Sequence, residues 1–264
     1  MKKMLFIMIM VAVCLTVTVQ AADKMGVTVN ATYETKHMWH GMDAFDNMGA
    51  FVPGVNIDLG DSGFYTGVQY VSPIGSGNAY QELPLSDMPE WDYWFGYKNQ
   101  AMVGEATQLD YDLSYMYYDL GTIRPVSGGK MSGTDGDMQE LAFAVKMPNI
   151  CPIGVYPRYR AAYLFEPNGS ERDIWGFEHT VGMGYDFTVA DVQMNSGLDV
   201  VYDDGAVYEN HDWSRMVAGL SATFEMGVGK LVPGVYYQVP FDDSTTGPIT
   251  DDEFYATMTY SVDF

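Results

Sequence analysis

The chain has 264 residues with a formal net charge of −22, and only 13 of its residues are lysine or arginine. This excess of acid argues against nucleic acid as a partner, because basic side chains neutralise phosphate backbones. Only 18% of the residues are charged while 14% are aromatic. That combination is unusual for a soluble protein but typical of a transmembrane β-barrel, in which every second residue of a strand faces lipid.

The first 21 residues predict a secretory signal peptide. Two lysines are followed by an apolar run and by the small residue Ala21, which is the order found in such segments. We therefore expect residues 22–264 to form a single barrel domain in the cell outer membrane. This part of the chain holds one cysteine, Cys151, so neither an intrachain disulfide nor a cysteine metal site is expected.

Twelve segments after the signal peptide alternate apolar and polar residues, which predicts twelve strands. They cover residues 26–39, 50–59, 63–72, 90–97, 107–120, 138–147, 155–165, 176–189, 192–202, 214–226, 231–239 and 253–264. The connections between them alternate between long and short. Outer-membrane barrels have short periplasmic turns, longer extracellular loops and an even number of strands. The sequence therefore predicts an all-β, transmembrane antiparallel barrel with periplasmic termini; a soluble barrel or sandwich is the alternative.

Four of the five tryptophans fall at predicted extracellular strand ends. These are Trp39, Trp91, Trp175 and Trp213. Aromatic side chains favour the interface between membrane and water, so we expect the four to form an aromatic girdle. Trp94 is the exception, because it lies within a strand on the face assigned to the lumen.

The last predicted strand is amphipathic and ends in an aromatic residue, Phe264. Because an unpaired strand edge in lipid leaves backbone groups unsatisfied, this strand is expected to close against the first. A terminal aromatic residue on such a strand resembles the sorting signal that the outer-membrane assembly machinery reads. We therefore expect Phe264 to be an assembly signal, with that machinery, outer-membrane lipid and lipopolysaccharide as partners.

The first predicted hairpin resembles the start of a family of poorly characterised, porin-like bacterial outer-membrane β-barrel proteins. Its members open with a Tyr-x-x-aromatic-Arg-Gly type strand end, followed by a Gly-Phe-Tyr-x-Gly strand. The matching residues are Tyr33, Trp39, Gly41, Gly63, Phe64, Tyr65 and Gly67. His40 replaces the arginine, so the role of that arginine does not carry over. The resemblance implies a barrel, without a defined substrate.

Inward-facing charged residues are the candidates for a pore constriction. They are Asp110, Asp112, Glu140, Lys146, Arg158 and Arg160, with the two arginines expected to face the three acids. Rings of opposed charge set selectivity in channels, whereas a salt-bridged network would fill a narrow interior. Twelve strands lie between the roughly eight whose interior side chains fill and the roughly sixteen of wide porins.

Two functions follow from these candidates. The first is a narrow, cation-preferring, porin-like channel for small solutes or cations, because acids outnumber bases among the inward groups and in the outer loops. The alternative is a non-conducting structural or surface-binding barrel.

An outer-membrane hydrolase is a third alternative, which would need serine, histidine and an acid within mutual reach. The serines near the predicted outer rim lie in no G-x-S-x-G motif. The histidines, at positions 37, 40, 179 and 211, are better explained as surface or girdle residues. The acidic loops 202–212 and 241–253 lack EF-hand spacing. We therefore expect neither an enzyme nor a bound metal or other cofactor.

Overall fold

The computed structural model describes residues 25–45, 47–74, 89–119, 137–166, 175–206, 211–241 and 251–264. The predicted signal peptide lies outside these ranges. Fourteen strands occur in chain order: β1 Gly26–Glu34, β2 Met38–Trp39, β3 Met42–Asp43, β4 Gly49–Asp58, β5 Phe64–Ile74, β6 Glu90–Ala101, β7 Leu109–Asp119, β8 Met138–Lys146, β9 Val155–Phe165, β10 Trp175–Val189, β11 Val192–Asp204, β12 His211–Met226, β13 Gly229–Pro240 and β14 Glu253–Asp263. Across these ranges, no helix is both long and apolar enough to cross a membrane.

Twelve of the strands close an antiparallel barrel, as the sequence predicts, and β2 and β3 form a separate two-stranded ribbon. β1 pairs with β4 on one side and with β14 on the other. The pairing extends to the last residue, because the Phe264 N–H donates to the Val27 carbonyl at 2.8 Å. Every barrel strand therefore has a partner on both sides, which lipid surroundings require.

The outer surface of the barrel is apolar. Leu113 of β7 and Phe143 of β8 are cross-strand neighbours and are 49% and 42% exposed. The same outward phase exposes Leu141, Met183, Tyr185, Leu220 and Met258. A soluble barrel or sandwich would bury these side chains, so that alternative is wrong and the fold is that of an outer-membrane β-barrel.

The tight turns mark the periplasmic end. The turn between β10 and β11 has only two residues, Ala190 and Asp191, with φ of +49° and +67°. Positive φ at both positions is the geometry of a type I′ turn, whose twist matches that of paired strands.

β10 and β12 have 15 and 16 residues, which exceeds the roughly 9–11 that cross a membrane. The part of the wall that contains β10 and β12 therefore extends beyond the hydrocarbon layer.

The predicted first strand, 26–39, is too long. β1 ends at Glu34, and residues 35–48, of which all but residue 46 are described, fold into the outer end of the lumen. We call this segment the plug. Its alternating sequence continues the pattern of β1, but its side chains contact the lumen wall rather than lipid.

The position of the plug corrects one member of the predicted girdle. Trp91 and Trp213 lie at outer strand ends and are 44% and 47% exposed, as a girdle requires. Trp39 instead packs inside the barrel, close to Tyr118, so its assignment to the girdle is wrong. Trp175 begins β10, but its side chain lies outside the described part of the structure.

Candidate functional site

Apolar side chains hold both ends of the plug against the lumen wall. Trp39 packs edge-on against Tyr118, with ring centroids 6.1 Å apart, beside the fully buried Leu164. At the other end Phe45, only 2% exposed, packs with Val71 of β5. Burying a large apolar side chain is worth about 1.5–3 kcal/mol, so these contacts favour the docked position of the plug.

Five alternating charges run across the lumen through the plug, from Arg160 through Glu140, His40 and Glu178 to Arg215. The His40 Nε2 lies 3.2 Å from a Glu140 oxygen, and its Nδ1 lies 3.2 Å from a Glu178 oxygen. Arg160 donates to Glu140, and Arg215 Nη2 donates to Glu178 at 2.9 Å. Both ring nitrogens face carboxylates, which only the doubly protonated imidazolium satisfies, because it donates from both.

The surroundings of His40 keep it charged at neutral pH. Burial opposes the charged form, but the negative charge of Glu178 and the hydrogen bonds with Glu140 and Glu178 raise the pKa of His40 to about 9. The interpretation of His40 as a surface or girdle residue is therefore wrong. The inward phase of Glu178 and Arg215 was readable from the sequence, but their contact with the plug was not.

The plug backbone is fixed as well as its side chains. Gln238 of β13 is 1% exposed and donates from Nε2 to the Gly41 carbonyl at 2.7 Å. Gly41 has a φ of +88°, a conformation that glycine adopts without a steric penalty. Neighbouring His40 also has positive φ, +46°. The chain therefore makes a left-handed turn at the point where it meets the buried charges.

Two buried carboxylates of β6 lie next to the plug. Glu90 is 6% and Asp92 is 2% exposed. Gln69 donates to Asp92 Oδ2 at 2.7 Å, and the Glu90 and Asp92 carboxyl groups hydrogen-bond to each other. His37 of the plug is close enough for a charge on its ring to act on Asp92. A hydrogen bond between two carboxyl groups requires a proton on one of them, so the pair carries at most one negative charge.

A cavity of about 900 Å³ occupies the periplasmic half of the lumen. Its lining extends from the turn at Asp61 to Arg160, which is one end of the charge chain that runs through the plug. The described charged groups of the lining are Asp61, Asp110, Asp112, Asp199, Lys98, Lys146, Arg158 and Arg160. Acids and bases are equal in number there, so the cavity itself carries no charge surplus.

The structure brings together one of the predicted ion pairs and replaces another. Arg160 pairs with Glu140, as expected. Arg158 pairs with Asp199 of β11 instead, through Nε–Oδ1 and Nη2–Oδ2 contacts of 2.8 and 2.7 Å. The expectation that Arg158 faces Asp110, Asp112 or Glu140 is therefore wrong. The path to Asp199 is open because Gly197 has no side chain, and a β-carbon there would lie 2.6 Å from Arg158 Nη2.

The remaining acids of the predicted constriction have separate partners. Lys146 Nζ lies 3.7 Å from Asp110, which also accepts from Gln100 at 3.0 Å. Asp112 accepts a hydrogen bond from the Tyr65 hydroxyl at 2.8 Å. The six predicted candidates therefore line one lumen but do not form a single ring of opposed charge.

His37 lies in the plug, 2.7 Å from Glu34 and stacked on Phe45, so its assignment to the surface or girdle is wrong as well. The remaining two histidines make different contacts. His179 faces outwards, 2.8 Å from the Tyr159 hydroxyl and stacked on Phe177, as the girdle interpretation requires. His211 lies at the rim beside Asp204. These contacts place His179 and His211 away from the lumen.

Comparison with known proteins adds no closer assignment. The sequence matches no protein-family model and no curated protein. Among solved structures, it is similar to the translocator domain of autotransporter NalP from Neisseria meningitidis, at 14% identity and a TM-score of 0.47, covering 91% of this chain and 88% of that one.

Two further structures show similar values. The COG4313 outer membrane channel from Pseudomonas putida F1 has 10% identity and a TM-score of 0.49, over 91% of this chain and 96% of the other. LpxR from Salmonella typhimurium has 12% identity and a TM-score of 0.47, over 89% and 99%. At these identities the similarity is one of barrel fold.

Proposed function

We propose that the chain forms a narrow, porin-like channel of the outer membrane for small solutes or cations, restricted at its outer end by the plug. The observation that carries this proposal is the cavity of about 900 Å³ that reaches from the periplasmic turns to the plug. A barrel whose interior served only as a packed core would leave no such space, because side chains would fill it.

The cation preference arises at the outer end of the lumen. Acids and bases balance in the cavity lining, whereas Glu90 and Asp92, buried beside the plug and sharing a proton, carry at most one negative charge, which forms no ion pair with a described lysine or arginine. Fixed negative charge in a confined, low-dielectric passage favours cations and repels anions. A selectivity role for Asp110 and Asp112 stays a prediction, and their basic neighbours weaken it.

Single-channel recording in a planar bilayer tests the proposal. We expect small, discrete conductance steps from the folded protein, and a reversal potential of cation-preferring sign under a salt gradient. Steps as large as those of a general porin would contradict a plugged lumen. A preference for anions would overturn the charge argument.

A second function, a non-conducting structural or surface-binding barrel, is favoured by the charge chain through the plug. His40, Glu140, Glu178 and Arg215 are each at most 7% exposed in their side chains, and breaking a buried ion pair costs about 3–5 kcal/mol. A plug held so firmly would keep the outer end closed. Absence of conductance both from wild type and from a variant with a loosened plug would favour this function over the channel.

As a channel, the protein carries out no catalytic step. Its partners are outer-membrane lipid, lipopolysaccharide and the assembly machinery, which reads Phe264 during assembly. Its first hairpin resembles the porin-like family, in which Gly41 holds a matching position. Deleting Phe264 and measuring the fraction of folded barrel in the outer membrane tests the assembly role.

A further inference from the structure

Three inward-facing glycines lie side by side on neighbouring strands of the lumen wall. Gly184 of β10 is opposite Gly197 of β11, which is opposite Gly219 of β12. The row continues through Tyr236 of β13 to Tyr255 of β14. Because glycine has no side chain, the wall is recessed across three strands at this level.

Planar side chains from neighbouring positions cover the glycines. Tyr156 lies against Gly184, Arg158 against Gly197 and Tyr236 against Gly219, each close enough to block a β-carbon. The Tyr236 ring also stacks on the Tyr255 ring, with centroids 5.0 Å apart and an interplanar angle of 15°. The wall here therefore bears aromatic faces and a guanidinium plane.

A cavity of about 280 Å³ lies over this part of the wall. We call it the glycine recess. Arg158, Asp199, Tyr236 and Tyr255 line it, and Arg158 and Asp199 also line the larger cavity. The recess is thus continuous with the lumen, and its volume is just below the lower limit of about 300 Å³ that is usual for ligand sites.

The polar groups of the recess are neutral in sum. Arg158 and Asp199 form a two-point ion pair, and the remaining polar groups of the lining are the amide of Asn195 and the hydroxyls of Ser221, Tyr236 and Tyr255. An ionic ligand would have to compete with an internal partner that is already well placed. The recess therefore suits a neutral ligand that offers donors and acceptors side by side.

We propose that the glycine recess is a binding site for a neutral six-membered sugar ring. Each sugar hydroxyl both donates and accepts, which matches the adjacent donors of Arg158 and acceptors of Asp199. The C–H face of the ring packs on Tyr255, whose ring has one face turned away from the stacked Tyr236, because the negative face of an aromatic ring attracts weakly positive hydrogens. This inference rests on the proposed channel and names a solute class for it.

Saturation-transfer NMR with D-glucose tests the site, since it detects weak binding without requiring conductance. The protein is held in an amine-oxide detergent, which has no sugar head group. We expect transfer to the ring C–H protons with wild type. Tyr255→Leu, which removes one aromatic face, should weaken binding by about three- to tenfold, the effect of losing one aromatic contact.

A matched control comes from the opposite part of the wall. Tyr65 also faces inwards and lies against a glycine, Gly96, but it is not part of the described lining of the recess. Tyr65→Leu should leave D-glucose binding unchanged. The double variant Arg158→Gln with Asp199→Asn, which keeps the net charge, should weaken it.

No transfer from folded wild type, or equal transfer with Tyr255→Leu, would overturn the site. Uracil binding more tightly than D-glucose and lost in the same variants would overturn the sugar assignment. Conductance without D-glucose binding would overturn only the proposed sugar site in the recess. Binding of D-glucose without conductance would overturn only the proposed channel.

Discussion

Gly41 of the plug lies directly against Arg215 of the lumen wall. A β-carbon at residue 41 would stand 2.6 Å from both Cδ and Nε of Arg215, closer than β-carbons approach non-bonded atoms in folded proteins. Arg215 is itself 6% exposed and paired with Glu178, so it has little freedom to move aside. The plug can therefore occupy its site only with glycine at this position.

Gly41→Ala should displace the plug while leaving the barrel closed. Positive φ alone costs alanine about 1 kcal/mol, and the clash with Arg215 adds to this. We expect larger conductance steps and faster proteolysis within residues 35–48. Gly104→Ala is the matched control, since Gly104 has a similar φ of +83° but open space around it; an equal effect of both variants would contradict the role of Arg215.

Alkaline pH should loosen the plug. The pKa of His40 is about 9 in the folded protein against an ordinary value of 6.5, so its charge stabilises the fold fully below pH 6.5. That stabilisation, up to about 3 kcal/mol, is lost as pH rises through 9. Proteolysis of the plug, measured across this window, should accelerate with pH in wild type.

The control for the pH experiment is a pair of substitutions. His40→Gln should be loose at all pH values and show a flat profile, while His211→Gln, at an exposed rim position, should retain the wild-type profile. An unchanged slope in His40→Gln would assign the effect to another group.

Charge on the outer face should destabilise the barrel. Leu113→Arg or Phe143→Arg should each lower the free energy of unfolding by about 2–4 kcal/mol if the site is near the bilayer midplane. Urea unfolding in lipid vesicles measures this. Val228→Arg, in a periplasmic turn and 82% exposed in wild type, should change it little, and similar losses at all three positions would argue against the assigned lipid face.

Removing the acids beside the plug should reduce cation preference. Glu90→Gln combined with Asp92→Asn should move the reversal potential under a salt gradient towards zero, because the pair holds at most one negative charge and no described lysine or arginine forms an ion pair with it, unlike Asp110. The comparison is Asp110→Asn with Asp112→Asn, for which we expect a smaller change. The reverse order of effects would place the selectivity in the periplasmic cavity.

The strands could be predicted from the sequence because their signal is local. Alternation of apolar and polar residues places β9 at 155–165 and β10 within one residue of its observed start, since one face of each strand meets lipid over its whole length. The same alternation assigned Leu113 and Phe143 to the outer face. Tight turns such as Ala190–Asp191 are equally local, as only two residues define them.

The plug could not be predicted in this way. Trp39 and His40 follow β1 with a pattern that continues the strand, and an aromatic residue suits either lipid or a lumen wall. The wall residues that hold the plug inside the lumen, among them Glu178 and Arg215, lie far along the chain. The pairing of Arg158 with Asp199 was missed for a related reason, since it depends on the space above Gly197 rather than on strand phase.

The bond from Gln238 to Gly41 joins residues 197 positions apart in the chain. Loop closure over such a distance is slow unless intervening structure has already formed. The apolar contacts of the plug include residues of β5, β7 and β9, and its charged contacts include residues of β8, β10 and β12. Its docking site is therefore incomplete until the last third of the chain is in place. We therefore expect insertion of the plug to be a late step of folding, after β10, β12 and β13 have joined the wall.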